Sequence, residues 1–275
     1  VFGRGIVPTP EDFGVTGTLP SHDALLDYLA VDFQENGWDV KEFFKQMFMS
    51  KTYQQSARTT PEKVIKDRDN ALLSRGPRFR MDAEMIRDYA LASSGLLSDK
   101  MYGPSVRPYQ PINIWDVVGL PGGNTRDYKQ DTGENLHRRT IYSFWKRMAP
   151  PPNLEAFNAP SREVCTVRRE RTNTPLQALV TLNDPQFVET ARKLAEAALR
   201  TTQDADAVAS YIAQRTLCRP LNEDERSIIL SAQGDFLTHY RTAPEAASEL
   251  LAVGETGIEA DLDPAALAAR MADLL

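Results

Sequence analysis

Cysteine and histidine are scarce in this chain, with two cysteines and three histidines among 275 residues. Cys165 and Cys218 lie 53 positions apart and neither is followed by histidine, so the chain has no Cys-x-x-Cys-His pattern for covalent haem attachment. Two cysteines are also too few to diagnose an oxidising environment; they could pair, but read rather as two separate buried thiols. His22, His137 and His239 form no HExxH or other close metal-ligand spacing. No apolar run approaches the ~20 residues needed to span a bilayer. A phosphate cradle is missing as well: LPGGNTRD (120–127) has neither the P-loop lysine nor the dinucleotide-binding spacing. A net charge of -6 argues against generic nucleic-acid binding, which works by neutralising phosphates.

What is present is ordinary in bulk: 41% hydrophobic and 25% charged residues, in a chain long enough to bury a core. The pattern is mainly α-helical, an irregular helical domain with a long loop-rich middle and little or no β-sheet. Residues 1–20 are rich in Gly and Pro and read as a loop or the tail of a preceding domain. A helical domain follows over 21–275, with the proline-rich stretch around 150–160 as the point where it would subdivide. The abrupt start at Val1 and an end inside a helical pattern, ALAARMADLL, read as a piece of a longer chain. Leu25, Leu26, Leu29 and Phe33 share one helix face. Asp39 with Glu42 opens a second helix carrying Phe43, Phe44, Met47 and Phe48, so an antiparallel pair with an aromatic seam is expected. Another helix starts after Asp82 and stops at Gly95, and Asn222 with Glu225 gives a further capping-box spacing before Ile228. From Gly103 to Asn135 the periodicity dissolves, and 138–145 (RRTIYSFW) reads as a short extended segment with alternating burial.

The densest information lies in SREVCTVRRERTNTPLQALVTLNDPQF (161–187). Thr174-Pro175 and Asp184-Pro185 each set a side-chain acceptor before a proline suited to the first helical turn. Residues 138–171 hold eight Arg/Lys against three Glu, whereas 203–275 hold thirteen acids against five bases. Arg162, Arg168, Arg169 and Arg171, with Asn173 and with His137 beside its own basic pair, are the candidate binding residues. They suit either a cationic site for carboxylate, sulfate or phosphate, or Arg–Glu pairs that lock a loop to the helices. Asn173, Thr174, Gln177, Asn183 and Asp184 read first as helix caps and partners for a buried loop. Cys165 sits among arginines that favour a thiolate, set against the plainer reading of a buried structural thiol. No catalytic residue and no metal ligand can be assigned.

The fragments FGRGIVPTPEDFG, SHDALLDYLAVDF, NGWDVKEFFKQMFMSKTYQQSA, FRMDAEMIRDYALASSGLL, GPSVRPYQP, HRRTIYSFWKRMAPPP and REVCTVRRERTNTPLQALVTLNDPQF occur here in order. Together with SELLAVGETG and LDPAALAARM, they resemble the planctomycete PSD-type domain of unknown function across nearly the whole chain. The resemblance implies a periplasmic or cell-envelope setting. It also implies a cytochrome c-like module and a planctomycete-specific domain in the same polypeptide, with haem c belonging to that neighbour and no cofactor in this chain. An envelope protein partner is a further expectation, and no catalytic residue carries over. The function expected is a non-catalytic helical binding or interaction module of a cytochrome-linked protein. The alternatives are an oxidoreductase domain that passes electrons to the cytochrome, or a polysaccharide-active hydrolase.

Overall fold

The structure is a computed structural model that describes residues 1–116, 118–119, 122–123 and 126–275. The part of the GLPGGNTRDY reading that falls on Leu120, Pro121, Asn124 and Thr125 lies outside the described residues. Among the described residues there are eleven α-helices and no sheet, only isolated bridges such as Ser98 with Arg138 and Val106 with Ser143. The chain is mainly α, and it divides into two compact units, Val1–Arg80 with Cys165–Arg169, and Met81–Val164 with Glu170–Leu275.

The first unit holds α1 (Asp23–Glu35), α2 (Val40–Met49) and α3 (Pro61–Lys66). Asp39 caps α2 by accepting the Lys41 and Glu42 backbone N–H groups, and Thr60 caps α3 through Lys63. The expected aromatic seam exists: Phe33 lies 5.2 Å from Trp38 and 5.0 Å from Phe43, ring to ring. A dense core does not follow from it. Among the described residues of this unit only Asp67 and Gly76 are buried. Asp67 organises its own loop, accepting the Leu72 and Ser74 N–H groups while Arg75 donates to its carbonyl.

The second unit holds α4 (Ala83–Ser94), α5 (Pro152–Glu155), α6 (Pro175–Asn183), α7 (Pro185–Thr201), α8 (Ala205–Thr216), α9 (Glu223–Thr242), α10 (Pro244–Leu251) and α11 (Pro264–Ala272). The capping residues foreseen at Asp184 and Asn222 are in use, Asp184 toward Gln186 and Asn222 in a reciprocal box with Glu225. Gly95 ends α4 in the left-handed region at φ 80°. The axis of the core is α7. Its Val188, Ala191, Ala195, Ala198 and Leu199 pack against Val208, Ala247, Leu251, Leu267, Ala268 and Met271. Alanines on both sides let α7 and α11 approach closely. A smaller cluster joins Ala83, Leu154, Phe157 and Phe187.

Two sequence expectations need correcting here. Cys165 and Cys218 are both free and exposed, because each sits in a loop outside the helices. The 138–145 segment alternates only over residues 138–142, its backbone makes a 3-10 turn at Thr140–Tyr142, and its polarity is inverted. Arg138, Thr140 and Ser143 point inward while Ile141 is 72% exposed, since the interior at this point is a hydrogen-bond network rather than an apolar face.

Candidate functional site

The irregular middle of the second unit is held by charged side chains that come from helices. Glu189, on α7, is fully buried. Its Oε1 accepts the backbone N–H groups of Glu255 (2.9 Å) and Thr256 (2.7 Å) and the Thr256 hydroxyl (2.8 Å). Its Oε2 receives the Tyr109 hydroxyl at 3.1 Å and His137 Nε2 at 3.0 Å. A carboxylate only accepts, so His137 presents its Nε2–H. Burial pushes the Glu189 carboxyl up, but the His137 and Thr256 hydrogen bonds outweigh it and bring it down to about 2. Burial and the Glu189 charge together push the Tyr109 phenol up. The centre is therefore a fixed anion with all its acceptor sites occupied. It ties the loop around 254–256 and the segment around 137 to α7, and it has no lone pair left for proton transfer.

Gly254 makes this geometry possible. Its φ is +93°, and a Cβ placed there would lie 2.7 Å from Glu189 Cδ. Gly254→Ala is expected to destabilise the unit by about 1–3 kcal/mol through backbone strain, plus the displacement of Glu189. The urea midpoint of unfolding would show it, and an unchanged midpoint would mean that the loop is not held in this conformation.

Arg87, on α4, forms a second buried tie. Its Nε donates to Gln186 Oε1 (2.7 Å), Nη1 to the Arg138 carbonyl (2.8 Å) and Thr140 Oγ1 (3.0 Å), and Nη2 to the Leu136 carbonyl (2.7 Å). Asp88 next to it accepts the Thr140 N–H at 2.7 Å. Burial lowers the Arg87 guanidinium to about 10, still protonated at neutral pH, with the Asp88 charge opposing the fall. Arg138 in turn donates to the carbonyls of Pro104 and Tyr102 and lies 3.9 Å over the Tyr142 ring.

The residues singled out in the sequence do not gather at this centre, His137 excepted. Arg162 and Arg171, in the second unit, are exposed: Arg162 stacks 4.7 Å over Trp145, and Arg171 pairs with Asp82 at 4.0 Å. Asn173 is exposed there too, with a partner of its own. Arg168 and Arg169 belong to the first unit, where Arg168 meets Glu11 at 3.7 Å. These exposed pairs are solvated, and ion pairs of this kind are worth about 0–1 kcal/mol each. The buried charge lattice runs instead through Arg87, Glu189 and Arg192, residues that helical periodicity alone would place on a wet face. The polar set around α6 does act as caps and loop partners. Gln177 accepts the Thr174 N–H and donates to the Ala156 carbonyl at 2.9 Å, and Asn158 donates to Thr172 at 2.9 Å.

The first unit carries an apolar groove of about 740 Å³. Leu25, Leu29 and Phe33 of α1 form one wall and Phe43 and Met47 of α2 another, with Phe2, Ile6 and Val7 closing one side. His22 lines it as well, its Nδ1 2.9 Å from the Ser21 hydroxyl. Phe44, Phe48, Val31 and Trp38 stay more than a third exposed on the same helices or the turn between them. Nothing in the sequence flagged this groove, because its stripes look like those of an ordinary core. Among the described residues no group of three or more His, Cys, Asp or Glu side chains is placed to hold a metal ion, and no helix is long and apolar enough to cross a membrane.

No curated protein and no solved structure matches the chain. A family model does, over residues 1–232, and the chain belongs to that family, PSD1, described as protein of unknown function (DUF1553).

Proposed function

We propose that the chain is a non-catalytic helical binding module whose contact surface is the groove of the first unit. What carries this reading is the contrast between the two units. The second builds two apolar core clusters and fixes its irregular middle with buried, hydrogen-bonded charges, whereas among the described residues of the first no apolar side chain is fully buried. The first keeps a groove of about 740 Å³ lined by leucines and phenylalanines, with large apolar side chains exposed around it. Exposed apolar patches of this kind mark interaction surfaces. An oxidoreductase or a hydrolase needs a reactive group at an open cleft, whereas His137 and Glu189 are buried and occupied with each other.

The family resemblance, rather than the fold, supports the setting: the cell envelope or periplasm, with a cytochrome c-bearing domain of the same polypeptide or an envelope protein as partner. Haem, on this reading, resides in that neighbour. Hydrogen–deuterium exchange tests the proposal. Amides of α1 and α2 should become protected when the neighbouring domain is joined to the chain, and Leu29→Glu should abolish the protection. Equal exchange with and without the neighbour would overturn it.

A further inference from the structure

Two properties of the groove define what fits it. The first is the spacing of its walls. Leu25, Leu29 and Phe33 recur at i, i+4 and i+8 along α1, covering ~12 Å of helix, and Phe43 and Met47 repeat the i, i+4 step on α2. Rows of this kind are the ridges into which another helix packs its own side chains. Two helices provide two walls, and a third helix is the element that completes a layer around them.

The second property is charge. Among the described residues that line the groove, Arg4 is the one lysine or arginine, and there is no aspartate or glutamate. The Arg4 side chain is exposed and has no hydrogen bond or ion pair among the described residues. A planar guanidinium beside an apolar trough selects a carboxylate, which it can hold through two parallel hydrogen bonds. Ser21, Gln46 and Asn70 add polar contacts suited to peptide groups and side chains at the edges of such a helix.

We infer that the groove takes an amphipathic helix from another polypeptide segment, with apolar anchors spaced one turn apart and an aspartate or glutamate that meets Arg4. This rests on the reading of the groove as the contact surface. It differs from a basic or neutral helix in the sign of the flanking charge, and from a fatty acid in that a row of side chains, rather than one chain, fills the walls.

The test uses the full 275-residue chain. Two synthetic helical peptides share one leucine stripe and differ only in carrying Glu or Lys at the flanking position. Their binding is measured by calorimetry and by displacement of Nile red, an uncharged apolar dye. The Glu peptide is expected to bind about tenfold more tightly than the Lys peptide, as one charge-assisted contact allows. Arg4→Glu should invert the order while leaving the circular dichroism unchanged. Equal binding of both peptides, with the dye displaced, would overturn the charge selection and leave the groove as a contact surface. Displacement of the dye by oleate and by neither peptide would overturn the helix in favour of a lipid. Failure of the dye itself to bind would remove both the inference and the reading beneath it.

Discussion

Replacing Glu189 with alanine is expected to destabilise the second unit by about 3–5 kcal/mol, because removing one member of a buried charged network leaves its partners unpaired. The Glu255 and Thr256 N–H groups, the Thr256 and Tyr109 hydroxyls and His137 all lose their shared acceptor. For a unit of this size, that loss lowers Tm by on the order of 10 °C. Glu189→Gln should cost much less. Its amide oxygen can still accept from the 255–256 turn, and its NH2 can face His137 in the other tautomer. The pH dependence separates charge from shape. In the unfolded chain the carboxyl binds a proton near its ordinary 4.5, and in the folded chain only near 2. The stabilisation from ionised Glu189 is thus complete above about pH 4.5 and fades as pH falls toward 2. The stability gap between the native protein and Glu189→Gln should narrow over that same window. A gap that stays constant from pH 6 to pH 3 would show that the carboxylate charge contributes nothing.

The helical frame was legible in the sequence wherever a cap and a stripe coincided. Asp39, Asp184 and Asn222 each precede a helix that starts where their spacing says, and Gly95 stops α4 where a left-handed cap was expected. Hydrogen-bond chemistry between distant segments was not legible. Glu189 and Arg192 sit among ordinary helix formers, and nothing local says that residues 255–256 will come to rest on them. The arginine strip stands out in the sequence because its charges are adjacent there. The buried network draws its residues from positions 80 apart, as Tyr109 and Glu189 are, which no local window sees. His137 was the one candidate that belongs to it, and its basic neighbours gave no hint that its partner would be a carboxylate. The cysteines depart from expectation for a related reason. Cysteine is most often buried, yet these two fall in exposed loops whose backbone the core does not reach. In the first unit the sequence did show apolar stripes on α1 and α2. What it did not show is that the described chain leaves them lining an open groove.

Arg87→Met should produce a loss comparable to that of Glu189→Ala, and the cause is geometric. The guanidinium reaches four acceptors at once: Gln186 on α7, the carbonyls of Leu136 and Arg138, and the Thr140 hydroxyl. Methionine keeps most of the volume but leaves two carbonyls and an amide oxygen buried without donors, each worth about 1–3 kcal/mol when unpaired. Local relaxation and reorientation of Gln186 recover part of that, so about 3–5 kcal/mol is expected in urea unfolding. Arg87→Lys is the informative control. An ammonium keeps the charge but cannot span two carbonyls and a side-chain amide in the plane that the guanidinium occupies. If Lys recovers little of the loss, planar multidentate bonding is what joins α4, α7 and the 136–140 segment. Full recovery with Lys would instead make positive charge beside Asp88 the dominant contribution. In either case the proposed groove lies in the other unit, so Nile red binding under native conditions should be unchanged by Arg87→Met. A variant that loses both stability and dye binding would mean that the second unit is required to form the groove.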